Sequence, residues 1–162
     1  MPLWTIYHPA GALQPQHKQT LAKAITRLYS FPAFYVGVVF IERERDSLYR
    51  GGEPADNFVR IAVDHINLTW KTSEEITRRV KEFDDALAPT MRERGLLWEF
   101  HIDETPRAYW SIEGFRPPPS GSEAERRWLR ENRPSAYVTN AVEPAGVTDD
   151  SGCGHPVSRK RL

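Results

Sequence analysis

The chain has 162 residues, enough for one domain with a real core, and its 22 basic and 22 acidic residues cancel to a formal charge of zero. That balance argues against a general nucleic-acid or membrane-surface partner, since both usually leave a basic excess. A lone cysteine, Cys153, excludes a disulfide framework and a thiolate zinc site, and no apolar run approaches the ~20 residues of a membrane-spanning helix.

In chain order, Leu3 to His8 alternates and is rich in β-formers, which predicts a strand. Pro9-Ala10-Gly11 breaks it. From Gln16 to Tyr29 the apolar residues Leu21, Ala24, Ile25 and Leu28 recur at helical spacing. Phe31-Pro32 ends that helix, because a residue before proline is pushed out of the α region. Phe34 to Glu42 is nearly continuous in β-formers and predicts a buried, parallel strand.

The polar stretch 43–57, with Gly51-Gly52 in its middle, predicts a hairpin or loop excursion. The pattern then restarts. Asn57 to Ile66 is a strand, and Thr72 or Ser73 caps a helix, with Glu75 three residues after Thr72 as in a capping box. Ile76, Val80, Phe83 and Leu87 fall on one helical face, Gly95 stops the helix, and Leu96 to Ile102 is a further strand. The expected core is therefore an α/β (α+β) double β-α-β with a hairpin between the halves: a four-stranded, mainly parallel sheet with two helices on one face. Beyond it come a helical turn at Pro106–Trp110, the extended Pro117-Pro118-Pro119 and a small helix over Ser122–Asn132 anchored by Trp128. The domain is expected over residues 2–137, with 138–162 a disordered tail.

Several residues carry chemistry. Pro2 follows Met1, and a small second residue permits removal of the initiator. The mature chain would then start with a secondary amine, a base made without a side chain; α-amino groups have a reference pKa of about 7.7–8.0. Burial and nearby cations would bring it toward the working pH. No basic-then-apolar leader precedes it, so a cytoplasmic location is expected. Lys160-Arg161-Leu162 has only partial likeness to a peroxisomal address. Arg60 stands inside a strand, where a charge needs a reason: a bidentate carboxylate clamp, or an ion pair with Glu99 or Glu104. His65 and His101 lie near strand ends, where histidines serve structure or bind substrate, and His65 is kept as a substrate-binding candidate. Tyr29 and Tyr35 can orient a substrate through their hydroxyls or fill an aromatic core. Trp110 can wall a site against water or simply pack. No histidines and carboxylates share metal-ligand spacing, so neither metal nor cofactor is expected.

An amino-terminal proline on the first strand of a doubled β-α-β unit resembles the tautomerase superfamily, and within it the cis-3-chloroacrylic acid dehalogenase group, especially its fungal members. The matching pieces include Pro2-Leu3-Trp4, Ala22-Lys23-Ala24-Ile25-Thr26, Pro32-Ala33-Phe34-Tyr35-Val36 and Phe58-Val59-Arg60-Ile61. Trp98-Glu99-Phe100-His101-Ile102-Asp103-Glu104, Pro117-Pro118-Pro119 and Glu131-Asn132-Arg133-Pro134 follow in order, so that the likeness spans about residues 2–137.

The resemblance implies Pro2 as catalytic base or acid, a small carboxylate substrate and a homotrimer. It also exposes departures. Tyr29 stands where the dehalogenase has a histidine, and Asn67-Leu68-Thr69-Trp70-Lys71 lacks that enzyme's two arginines. The nearest match to its water-activating glutamate is Glu113. The expectation is therefore a tautomerase of 2-oxo or enol acids, with Pro2, Arg60 and Glu113 as catalytic candidates. The alternatives are a hydratase or dehalogenase of an unsaturated acid, and a non-catalytic ligand-binding relative.

Overall fold

A computed structural model describes residues 2–66 and 68–138. The expected tail, Cys153, the carboxyl-terminal tripeptide and Met1 lie outside the described residues.

The two halves form as the periodicities predict. Strand β1 (Pro2–Pro9), helix α1 (Pro15–Arg27) and strand β2 (Gly37–Arg43) make the first half. A two-strand excursion, β3 (Tyr49–Arg50) and β4 (Glu53–Pro54), separates it from β5 (Phe58–Ile66), α2 (Ser73–Glu93) and β6 (Leu97–Thr105). The sheet order is β2-β1-β5-β6. Both outer pairs, β1–β2 and β5–β6, are parallel, as a crossover helix requires. The central pair β1–β5 is antiparallel, so the two halves meet head to tail around a pseudo-two-fold.

Alternation sorts each strand onto two faces. Trp4 and Ile6 of β1 and Val59, Ile61 and Val63 of β5 are fully buried, packed with Leu21 and Ile25 of α1 and Phe83, Leu87 and Met91 of α2. Burying a side chain of this size is worth about 1.5–3 kcal/mol each, so this layer carries the stability of the domain. The capping box forms at α2: the Thr72 hydroxyl accepts from the Glu75 amide at 3.2 Å, and the Glu75 carboxylate accepts from the Thr72 amide at 3.0 Å. Gly95, at φ +65°, ends the same helix in the left-handed conformation that glycine adopts without a Cβ penalty.

Among the described residues, no helix covers the opposite sheet face. Arg60, Ala62 and Asp64 of β5 point there by parity, and Leu97 and Val39 remain 48% and 45% exposed. This corrects the reading of the second strand. β2 is parallel but lies at the sheet edge and is only half-buried, and the segment before it, Ala33–Tyr35, is a short helical turn led by Pro32. Its unbroken run of β-formers serves two faces, one against the core and one left bare.

The carboxyl-terminal extension folds back onto the segment after α1. Trp128 of α3 (Glu123–Glu131) is fully buried and clusters with Tyr35 and Ile112. Its indole donates to the Ser135 carbonyl at 2.8 Å. Asn132 caps α3 in the left-handed conformation, and its side-chain oxygen accepts from the Phe34 amide at 3.2 Å. That bond ties the extension to the wall of the cavity described next.

Candidate functional site

Pro2 is the first residue of β1, a position where a missing amide donor costs a strand nothing. It is buried and lies on the same face as Trp4 and Ile6. Directly opposite it, in the antiparallel register with β5, is His65. His65 follows Val59, Ile61 and Val63 in the alternation, so it too lies on the helix-covered face.

His65 lines a cavity of about 390 Å³ at this end of the sheet. Tyr29, Phe31 and Tyr35 come from the segment after α1, Trp70 from the loop before α2, Arg78 and Arg79 from α2, and Arg107 and Glu125 from the extension. Three guanidinium groups against two carboxylates, Glu75 and Glu125, give the wall a positive bias. The two carboxylates are also engaged locally. Glu75 receives the Lys71 and Thr72 amides, which hold its carboxyl below the usual range, and Glu125 accepts from the Gly121 amide at 2.6 Å.

The imidazole of His65 has a defined hydrogen-bonding state. Nδ1 lies 2.9 Å from the Ile66 carbonyl, which can only accept, so Nδ1 carries the hydrogen. Nε2 therefore holds the lone pair, and it is buried without a partner among the described residues. Burial, followed by the positive charge of the amino terminus, pushes the His65 pKa down to about 4, so the ring is neutral near pH 7.

Two further orphans lie in residues of the same wall, the Tyr35 hydroxyl and Arg79 Nε. Burial raises the pKa of the Tyr35 phenol, keeping it a protonated donor. Tyr29 is likewise held protonated by burial, and its oxygen accepts from Trp4 Nε1 at 3.1 Å. Arg79 is the most heavily built group. It pairs with Glu82, donates to the Leu28 carbonyl at 3.1 Å and packs over Trp70, Phe83 and Tyr29 at 5.0, 5.6 and 6.0 Å from the ring centroids. A guanidinium held on three rings and two acceptors is fixed in place before any ligand arrives.

The structure thus gathers His65, Tyr29 and Tyr35 in one cavity wall, sets Pro2 opposite His65 in the strand register although Pro2 is not itself part of that wall, and leaves three candidates elsewhere within one chain. Arg60 pairs with Tyr7, not Pro2, in the β1–β5 register and faces the bare side of the sheet. There it contacts Glu99 at 3.5 Å and hydrogen-bonds His101, whose Nε2 lies 3.0 Å from Asp103. Glu113 is exposed at the tip of a tight turn, at φ +51°, with the chain closed on either side of it by paired hydrogen bonds between Ile112 and Phe115. Trp110 is half-buried with its indole N–H unpartnered, and it is not among the residues of the cavity wall.

Sequence reading missed Arg79. The signal was present: Arg79 precedes Phe83 by four residues and Leu87 by eight, which places a charge on the apolar stripe of α2. Among the described residues no three His, Cys, Asp or Glu side chains gather as a metal ion would need, and no helix is long and apolar enough to cross a membrane.

Residues 1–133 match the family described as "Putative oxalocrotonate tautomerase enzyme". The native RhCC structure from Rhodococcus jostii RHA1 is 41% identical, covers 83% of this chain and 99% of its own, and superposes with a TM-score of 0.80. AU4130/APC7354, described as "a probable enzyme" from the thermophilic fungus Aspergillus fumigatus, is 40% identical over 85% of this chain and 98% of its own, also at 0.80. N1, a member of the cis-3-chloroacrylic acid dehalogenase family, shares the fold at 19% identity, with a TM-score of 0.65 over 80% of this chain and 96% of its own. A search of curated protein sequences found no match.

Proposed function

Since the chain belongs to this oxalocrotonate tautomerase-like family of the tautomerase superfamily, we propose that it is a tautomerase of small 2-oxo or enol carboxylic acids, with the Pro2 amine as the proton carrier. The observation that carries this reading is the pairing of Pro2 with His65, which sets the head of β1 beside the arginine-biased cavity.

The chemistry follows from the groups in place. A neutral secondary amine removes a proton from a substrate carbon or enol oxygen and returns it to the other position. Arg79, with Arg78 and Arg107 in the same wall, receives the carboxylate and opposes the negative charge that develops on the enolate. The same cations disfavour protonation of the amine, which suits a base near neutral pH. The Tyr35 hydroxyl is a donor with no partner among the described residues and can serve the substrate's 2-oxygen. The flat rings of Tyr29 and Phe31, stacked at 4.8 Å, match a planar conjugated acid.

The bare sheet face supports assembly of several copies, a trimer in this reading, since an uncovered face of this size needs a partner. The water-adding alternative asked for Glu113 at the site, and within one chain that residue remains on an exposed turn.

The test is ketonisation of phenylenolpyruvate by the wild type and by Pro2→Ala. We expect a loss of about 100-fold or more, the usual weight of a general base. Equal rates would overturn the mechanism.

A further inference from the structure

The geometry points to His65 as the positioning residue for the Pro2 amine: the lone pair on its Nε2 accepts a hydrogen bond from the amine's protonated form. This rests on the tautomerase reading, because it requires Pro2 to carry a free amine.

Three observations converge. The register places Pro2 and His65 directly opposite one another on neighbouring antiparallel strands. Directly opposed residues on one face have Cβ atoms about 4.5–5.5 Å apart, within reach of an imidazole. Second, the tautomer is fixed. With Nδ1–H committed to the Ile66 carbonyl, the ring can offer only an acceptor at Nε2. Third, that acceptor is buried with no partner among the described residues, and a buried acceptor left unpaired is costly unless something satisfies it. The rings around it, Tyr29, Phe31 and Trp70 at 5.7, 6.3 and 5.6 Å between centroids, offer no donor to Nε2 and confine the imidazole.

A protonated secondary amine has two N–H bonds. One can be held by His65 Nε2 while the other points at the substrate atom that receives the proton. The imidazole keeps its own proton on Nδ1 throughout, so no net charge passes through it. The other charged groups that face this end of β5 are Arg78, Arg79 and Glu75 from the α2 side, Arg107 and Glu125 from the extension, and Glu104 of β6, which lies beside His65 in the parallel register and accepts from the Leu68 amide at 2.7 Å. The cations oppose a charged imidazole, and they also leave the neutral ring as an acceptor for the amine. Tyr29 and Tyr35 remain protonated and add no charge.

The test reads the amine's own titration. First, intact mass establishes whether Met1 has been removed; a retained Met1 overturns the tautomerase reading and this inference with it. With Pro2 free, kcat/KM is followed against pH for the wild type, His65→Leu and His65→Gln. An acceptor stabilises the protonated amine, so its loss in His65→Leu lowers the amine pKa and moves the acid limb down by about one unit. His65→Gln, whose side-chain oxygen accepts, restores the wild-type limb. Superposed limbs for wild type and His65→Leu overturn the inference while leaving the Pro2 test intact. Should His65→Leu not fold, the wild type alone decides. The ¹⁵N shift of His65 Nε2 must move as Pro2 titrates, in a range where His65 itself stays neutral; a flat shift overturns the inference.

Discussion

The indole N–H of Trp4 donates to the Tyr29 hydroxyl at 3.1 Å, joining the fully buried centre of β1 to the wall of the cavity. Trp4 also packs on Phe83 in the middle of α2 at 4.9 Å, so one residue ties the strand that carries Pro2 to that helix and to the segment after α1. Tyr29→Phe removes the acceptor and leaves a buried donor unpaired. We expect a loss of about 1–3 kcal/mol, read as a fall of several degrees in Tm, with little change in the far-ultraviolet spectrum.

Arg79 makes a second, separable test. Its replacement by lysine keeps the charge and loses the planar stack on Trp70, Phe83 and Tyr29 together with the fork between Glu82 and the Leu28 carbonyl. Both Arg79→Lys and Arg79→Met should destabilise the fold by about 1–3 kcal/mol. Only the second should also raise KM for an anionic substrate, by about tenfold or more, since a charge-assisted contact is worth about 1.5–3 kcal/mol. If KM is unchanged in Arg79→Met, the carboxylate is held elsewhere.

His65 sets a pH dependence whose sign can be worked out. Its pKa is about 4 in the folded chain against 6.5 for the free side chain. Between these values the unfolded chain takes up a proton that the fold refuses, so stability is complete above about 6.5 and falls as the pH drops toward 4. The whole effect is on the order of 3–4 kcal/mol at most. His8 is lowered in the same direction, by burial first, and adds to the slope. Urea midpoints between pH 7 and pH 4 should therefore decline, and His65→Leu should flatten the decline in part. A slope unchanged in that variant would show that His65 is not held neutral by the fold.

Much of the frame was legible in the chain because it is written in local periods. The alternation of β1 and β5, the Thr72–Glu75 cap and the stop at Gly95 each follow from residues close in sequence. The site was less legible because long-range register decides it. Nothing local to Pro2 says that residue 65 lies opposite it while residue 60 lies opposite Tyr7, yet that offset takes Arg60 away from Pro2 within the chain. The dehalogenase pattern drew attention to the segment just after β5, whereas Arg78 and Arg79 reach the cavity from farther along α2. The packing of Tyr35 against Trp128 spans almost the whole domain and leaves no periodic trace.

Arg60 shows how position sets expectation. It sits on the bare sheet face between Glu99 and His101, partly screened and ion-paired. In an assembly that covers this face, those partners are removed from water, and breaking one of them leaves a buried charge unpaired. Arg60→Met should therefore weaken association, seen as smaller species by sedimentation at low protein concentration. The folded chain itself should lose little, since an exposed pair of this kind contributes about 0–1 kcal/mol. If Arg60→Met leaves the assembled mass unchanged and instead raises KM alone, Arg60 would be acting as a carboxylate clamp supplied to a neighbouring copy.

Glu113 separates the proton-transfer reading from the water-adding one. Its φ of +51° is followed by Gly114 at +85°, both positive as a tight two-residue hairpin turn requires. A glutamate is strained there, and asparagine adopts such a conformation at lower cost. Because the side chain is exposed and outside the cavity wall, Glu113→Asn should raise stability by about 0.5–1 kcal/mol and leave ketonisation within about twofold of wild type. A Tm that rises while activity collapses would instead mean that this turn reaches the site of another copy and that its carboxylate takes part in the reaction. Denaturant melts and the phenylenolpyruvate assay on the same preparation distinguish the two outcomes.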